Sequence, residues 1–196
     1  MSIVYYDFET TGLNQFHDKI TEYCFIKENP TQDTIQSLVN PQKEVTAFIT
    51  RLTGITQEMV NNALTFHDHA QTILEFITNT TNYTYIVAHN GDNYDFIMLR
   101  EHLKYCGFNL HNLPIRSLDT LLIAKKLYPH LTKYSLSSLC AQFNCGVLEA
   151  HRAKGDTQMV QNLFRYMLND LSNSLTVSPE NLLANPEIIY NYVNGI

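Results

Sequence analysis

The sequence predicts an α/β fold, a single domain in which a mixed, twisted five-stranded β-sheet is flanked by α-helices. Segments rich in strand-forming residues alternate with segments of helical spacing, and turn residues separate them. The chain has 196 residues, 44% of them hydrophobic, which is enough for one domain with a full core. The predicted strands cover residues 2–9, 19–28, 33–40, 83–88 and 115–118.

The first strand is an apolar run that ends in two carboxylates. Asp7 and Glu9 are two residues apart, so they project from the same face of the strand as Ile3 and Tyr5. Burying an unpartnered carboxylate costs several kcal/mol or raises its pKa until the group is neutral, so we expect a cation between the two acids. Oxygen ligands suit Mg²⁺ or Mn²⁺ better than zinc. The simpler alternative is a strand end with two solvated acids.

The later elements follow in order. The second and third strands form a hairpin around Pro30, and from Glu44 the pattern becomes helical, with Phe48, Ile49 and Leu52 on one short apolar face. Further helices are predicted over residues 56–62, 66–78, 94–106 and 136–143, after Asp119, and from near Arg152 onward.

Two more carboxylates are expected to point inward. Asp156 lies four residues before Val160, on the apolar face of the last long helix. Asp95 begins a helix directly after a strand, where the helix dipole favours negative charge. Alone it is typical of a helix cap. Together with Asp7 and Glu9, these residues give four carboxylates from three elements, the ligand set of a two-metal site for phosphoryl displacement.

These motifs resemble those of the DEDD exonucleases of the DnaQ-like, RNase H-like superfamily. Asp7-x-Glu9 corresponds to the first motif, Asp95 to the second, and His151-x-x-x-x-Asp156 to the histidine-type third motif. Within the superfamily, the motif sequences are most similar to those of the three-prime repair exonucleases. The agreement extends to residues 88–96, 133–136 and 151–156, and the resemblance covers about residues 2 to 170.

The resemblance implies a metal-dependent 3′→5′ exonuclease that releases 5′-mononucleotides from DNA, best at single-stranded or frayed 3′ ends. The four carboxylates would hold two Mg²⁺ ions, which Mn²⁺ can replace. His151 would be the general base, because a neutral imidazole can accept a proton from the attacking water near pH 7. The implied substrate contacts are Thr10, Leu13, Leu52, Tyr94 and Lys125.

The resemblance leaves alternatives open. Asn93 replaces the basic residue that the family carries in its second motif, which would weaken the grip on phosphates. An exoribonuclease or oligoribonuclease could use the same fold, since the fold does not select the sugar. A proofreading or binding subunit of a polymerase assembly is a further possibility. The family also implies a homodimer, for which residues 34–39 are a candidate sheet edge.

Composition limits the binding sites and the cellular location that we expect for this chain. The formal net charge of −6 disfavours a general polyanion-binding surface, so nucleic acid would be held by a local patch or by metals. Four cysteines without CxxC spacing indicate neither a zinc site nor a disulfide framework. The chain shows neither a signal pattern nor an apolar run of about 18 residues, so we expect an intracellular protein, cytoplasmic or nuclear, without a membrane anchor.

The expected organisation is an exonuclease domain over residues 1–172 and a C-terminal extension over residues 173–196. Pro179 and Pro186 divide this extension into short pieces. We expect these pieces to be short helices that either dock on the domain or remain loose.

Overall fold

A computed structural model of the chain describes residues 2–28, 32–78, 82–147 and 152–196. The sheet has the strand order β3-β2-β1-β4-β5, in which β1–β2 and β2–β3 are antiparallel and β1–β4 and β4–β5 are parallel. The predicted mixed five-stranded sheet is therefore confirmed, with strand ends shifted by one or two residues. The strands are β1 Ser2–Thr10, β2 Ile20–Glu28, β3 Gln32–Leu38, β4 Thr84–Ala88 and β5 Ile115–Asp119.

The helices flank this sheet, and several begin after residues whose side chains cap them. The Ser135 hydroxyl accepts a hydrogen bond from the Ser138 amide at 3.2 Å, and the Asp119 carboxylate accepts one from the Leu121 amide at 2.8 Å. In the part of the chain that the structure describes, no helix combines the length and apolar character that a membrane crossing requires. The helices are α1 Ala47–Thr53, α2 Gln57–Asn61, α3 Phe66–Ile77, α4 Asp95–Tyr105, α5 Thr120–Leu127, α6 Leu136–Gln142, α7 Ala153–Leu175, α8 Pro179–Ala184 and α9 Pro186–Asn194.

The central strand β1 divides the core into two layers. Ile3 and Tyr5 pack on one side with the inner face of α7, while Val4, Tyr6 and Phe8 pack on the other side with α3 and α4. This division follows from the alternation of side chains along a strand. Asp7 and Glu9 consequently continue the face that α7 covers, as the spacing predicts.

The C-terminal segment packs on the same core. Helix α7 runs to Leu175, beyond the expected domain boundary at residue 172. Leu182 of α8 and Ile189 of α9 are fully buried in the core layer that contains α7. The Arg116 guanidinium on β5 pairs with Glu187 at 3.0 Å, which joins α9 to the sheet. The last two helices are thus docked on the domain.

Helix α1 differs from the expected single apolar face. Ile49 is buried with Val45, Ile55 and Val60, whereas the side chains of Phe48 and Leu52 are 64% and 51% exposed. Leu52 lies between Phe48 and Ile49 around the helix axis, and the core contacts the Ile49 side of this short helix. The predicted common face of Phe48, Ile49 and Leu52 is therefore wrong, and α1 presents two apolar side chains to solvent.

Candidate active site

Three of the predicted carboxylates meet where β1 passes under the first turns of α7. Asp7 and Glu9 come from β1, and Asp156 comes from α7. One oxygen from each carboxylate lies within 4.8 Å of the other two, and all three side chains are half-buried. Carboxylate oxygens at this separation can share a hard divalent cation.

Asp95 joins this group from the other side of β1. It is the first residue of α4 and is only 5% exposed. The backbone amides of Asp95 itself and of Phe8 donate hydrogen bonds to its carboxylate, which ties the start of α4 to β1. Among neighbouring charges, Asp95 contributes most to raising the pKa of Asp7, so the two carboxylates are close in space. The group of acids within 4.8 Å of one another does not include Asp95, which lies beside one of its members, Asp7.

Burial and mutual repulsion strongly perturb these acids. Burial, followed by the charges of Asp95, Asp156 and Glu9, raises the pKa of Asp7 well above its usual value. Burial, then the charges of Asp156 and Glu22, raises the pKa of Glu9 to about 8. The pKa of Asp95 rises to about 7, chiefly because the group is buried. Three neighbouring carboxyl groups with raised pKa values, together with the oxygen ligands of Asp156, fit a site for divalent cations.

A fifth acid, Glu22, lies beside this group and was not predicted from the sequence. It lies on β2 directly opposite Glu9 and is 9% exposed. Its carboxylate accepts hydrogen bonds from both the Nε and a terminal nitrogen of Arg152, the first at 2.9 Å, and from the Ala153 amide at 3.0 Å. Because its charge is paired, Glu22 is not a candidate ligand. The sequence feature that could have identified Glu22 is its place as an acidic residue inside the apolar run 20–26.

Thr10 and Tyr94 organise the loop that follows β1. The Thr10 hydroxyl donates to the Gly12 carbonyl at 2.7 Å, and the Tyr94 hydroxyl lies 2.7 Å from the Thr10 hydroxyl and donates to the same carbonyl at 2.5 Å. A Cβ at Gly12 would lie 2.5 Å from a carboxylate oxygen of Asp18, so a larger residue there would have to displace this carboxylate. The loop holds Leu13 in solvent, 84% exposed.

The remaining predicted contacts lie on other elements. Leu52 is on the exposed face of α1, and an ion pair of 2.6 Å between Lys43 and Asp18 links the segment before α1 to the β1–β2 loop. Lys125 is exposed on α5 and close enough to His89 for its charge to lower the pKa of that imidazole, after the larger effect of burial. His151 lies outside the described residues.

Two polar residues, His89 and Asp119, support the loop of the second motif. The His89 ring is 2.9 Å from the Thr120 hydroxyl and 2.8 Å from the Tyr134 carbonyl. The Asp119 carboxylate accepts a hydrogen bond from the Asn90 amide at 2.8 Å. Both side chains therefore have structural partners that fix the loop leading to Asp95.

The family model of the RNase_T exonucleases matches residues 4–164. The chain belongs to this exonuclease family. The match spans the first, second and third motifs together and confirms the predicted DnaQ-like exonuclease superfamily.

Curated relatives of this RNase_T-family chain include PolC-type DNA polymerase III proteins. The chain is 35% identical over 170 residues to that of Caldanaerobacter subterraneus subsp. tengcongensis and 33% identical over 180 residues to that of Ureaplasma parvum serovar 3. These alignments cover 86% and 89% of this chain but only 12% of each relative. The chain thus spans about an eighth of the length of these polymerases. The predicted particular similarity to the three-prime repair exonucleases stays a prediction.

Solved structures show the same fold. Exonuclease I of E. coli in complex with a dT13 oligonucleotide has a TM-score of 0.76 at 16% identity, covering 89% of this chain and 42% of that chain. Exonuclease X in complex with 5′-overhanging duplex DNA has a TM-score of 0.65 at 22% identity, covering 85% of this chain and 91% of that chain. The RNase H-like exonuclease fold predicted for this family member is confirmed.

The raised pKa values predict how stability depends on pH without metal. The folded acids keep protons that the unfolded chain releases from pH about 4 upward, so stability should fall until the pKa of Glu9, about 8, is passed. We expect the free energy of unfolding in EDTA to fall by on the order of 1–3 kcal/mol between pH about 5 and about 8. Denaturant titrations at the two pH values measure this change.

The variant Asp95→Asn should flatten this dependence, since it removes one buried titrating group and keeps an acceptor for the backbone amides. The matched variant Asp92→Asn alters an exposed acid of the same loop and should keep the wild-type slope. A stability that stays constant or increases over this pH range would show that the acids are not strained in the folded chain.

Proposed function

We propose that this chain is a divalent-metal-dependent 3′→5′ exonuclease that releases 5′-mononucleotides from DNA, best at single-stranded or frayed 3′ ends. The observation that carries the proposal is the convergence of Asp7, Glu9 and Asp156 within 4.8 Å, beside buried Asp95. Membership of the exonuclease family supports the assignment of this cluster to phosphodiester hydrolysis.

The four carboxylates would hold two Mg²⁺ ions, or Mn²⁺ in their place. Bound divalent ions supply electrostatic stabilisation of the attacking and leaving oxygens in a phosphoryl displacement. The protein prepares the site in two ways: strand alternation directs Asp7 and Glu9 toward α7, and backbone amides hold Asp95 without neutralising it. Because the backbone amides are neutral, they hold the Asp95 carboxylate in place and leave its negative charge available to a cation.

His151 is the proposed general base. It occupies the histidine position of the third motif, five residues before Asp156. A neutral imidazole there would take a proton from the attacking water as the water oxygen bonds to phosphorus. The bond from phosphorus to the 3′ oxygen of the preceding nucleotide would break, that oxygen would gain a proton from solvent, and the phosphate would stay on the released nucleotide.

The proposed contacts to the 3′-terminal nucleotide come from the end of β1 and the loop after it, from α1, from the residue before α4 and from α5. Exposed Leu13 and Leu52 offer apolar side chains to the terminal base or sugar, while Thr10 and Tyr94 fix the loop that carries Leu13. Lys125 is the proposed phosphate contact. A few local contacts of this kind suit a chain with a net charge of −6, which lacks a general attraction for polyanions.

A second candidate role is proofreading within a polymerase assembly. It is favoured by the relatives, since the chain aligns with a segment that makes up 12% of PolC-type DNA polymerase III proteins. Hydrolysis of RNA on the same fold is the alternative substrate class. Pairing of two chains through the edge strand β3 stays a prediction of the resemblance.

A nuclease assay on protein from which metal ions have been removed tests the proposed activity. The substrates are 5′-labelled single-stranded DNA and RNA of the same sequence, with EDTA or Mg²⁺. We expect a ladder shortened from the 3′ end, on DNA and only with metal.

Asp95→Ala should reduce turnover by at least about 10³-fold with folding intact or improved, because it removes a ligand and relieves repulsion. Asp7→Ala and Asp156→Ala should behave alike.

Asp92→Ala is the control for this assay, because Asp92 is an exposed acid of the same motif loop and should retain turnover. Wild-type rates in Asp95→Ala, or cleavage in EDTA, would refute the metal-site assignment. Faster shortening of RNA than of DNA would transfer the proposal to an exoribonuclease.

The His151→Ala variant tests the general base separately. Turnover should fall by about 10²–10⁴-fold while DNA and metal binding persist, because proton transfer is lost and the four ligands remain. The wild-type rate should rise with pH as the imidazole loses its proton, and the variant should lack this limb. Rates measured across the pH range under saturating DNA show both effects. Nearly full activity, or loss of binding in step with turnover, would assign His151 a structural role.

A further inference from the structure

Glu22 makes an ion pair between two distant parts of the chain at the edge of the acidic cluster. Its carboxylate accepts two hydrogen bonds from the Arg152 guanidinium and a third from the Ala153 amide. The Glu22 side chain is 11% exposed and that of Arg152 is 42% exposed, so the pair is partly shielded from water. A two-pronged guanidinium–carboxylate contact fixes orientation as well as distance.

This contact replaces a helix cap. Arg152 occupies the position before α7 and makes no side-chain capping bond to its own helix, so the first amides of α7 need acceptors from elsewhere. Glu22 provides one from the neighbouring strand, at the Ala153 amide. The Asp156 amide in turn donates to the Arg152 carbonyl at 3.0 Å, which closes the first turn. The residues that Glu22 holds are therefore those of the turn that carries Asp156.

The same pair balances charge beside the site. Glu22 lies opposite Glu9 in the hairpin, and its negative charge raises the pKa of Glu9, whereas Arg152 lowers it. Without Arg152, Glu22 would stand as an unpaired acid next to the cluster. The pair thus adds a rigid link to the cluster with little net charge.

A comparable ion pair joins the same two elements far from the acids. Glu28, at the other end of β2, accepts hydrogen bonds from Arg165 and Gln161 of α7, the latter at 2.8 Å. Arg165 lies 13 residues after Arg152, about 20 Å along a helix axis. Both pairs attach α7 to β2, but only the Glu22 pair holds the turn of Asp156. The chain therefore contains its own matched control.

We propose that Glu22 is a positioning residue that, through Arg152 and the Ala153 amide, holds the first turn of α7 so that Asp156 faces Asp7 and Glu9. This inference rests on the proposed function for its kinetic consequence, and on geometry alone for its structural consequence. Residues that orient metal-binding side chains typically change metal affinity or activity by 10–100-fold when they are replaced.

Arg152→Ala and Arg165→Ala are compared in three measurements: kcat and KM on single-stranded DNA with Mg²⁺, Mn²⁺ binding followed by electron paramagnetic resonance, and amide hydrogen exchange in α7. Arg152→Ala should lower kcat by about 10–100-fold with little change in KM, weaken Mn²⁺ binding, and speed exchange in the first turn. Arg165→Ala should leave kcat and Mn²⁺ binding at the wild-type level.

Glu22→Ala should reproduce Arg152→Ala, and the double variant should be no worse than either single variant, because both remove one interaction. Glu22→Gln keeps an acceptor for the Ala153 amide and should lie between wild type and Glu22→Ala. It is also the variant to use if Glu22→Ala fails to fold.

Equal effects of Arg152→Ala and Arg165→Ala on kcat and Mn²⁺ binding would overturn the inference, as would additive losses in the double variant. If the wild-type chain cleaves neither DNA nor RNA, the proposed function fails, while Mn²⁺ binding and hydrogen exchange still test the role of Glu22.

Discussion

The repulsion among buried carboxylates is the constraint on which the rest of this structure depends. Four acids converge at one end of the sheet, and burial together with their mutual charge raises the pKa of Asp7, Glu9 and Asp95. Without a bound cation such a cluster destabilises the folded chain, because each ionised group loses hydration without a counter-charge. A bound divalent cation would supply the missing counter-charge, which is the reason for the proposed metal site.

The surrounding structure keeps the acids in place without neutralising them. Asp95 receives hydrogen bonds from backbone amides, which carry no net charge. A backbone amide also holds the preceding loop, since the Asn90 amide donates to the Asp119 carboxylate. The guanidinium of Arg152 is directed at Glu22, beside the cluster. Hydrophobic packing of α7 on β1 and β2 supplies the rigidity that this arrangement requires.

Much of the site follows from local periodicity. Alternation along β1 places Asp7 and Glu9 on one face, and the spacing of Asp156 from Val160 directs it to the inner face of α7. The link between Glu22 and Arg152 does not follow in this way. It joins residues 130 positions apart and depends on the hairpin register and on where α7 crosses β2, which only the folded chain specifies. The exposure of Phe48 likewise depends on which side of a short helix meets the core.

Asp7, Glu9, Asp95 and Asp156 are proposed to form one binding site for two divalent cations. Anomalous diffraction at the manganese edge, from crystals grown with Mn²⁺ and a nucleoside 5′-monophosphate, tests it most directly. The account predicts two peaks roughly 3.5–4 Å apart, bounded by the four carboxylates and the phosphate. Well-ordered crystals with no anomalous peak at these acids, or with manganese bound only elsewhere, would contradict it.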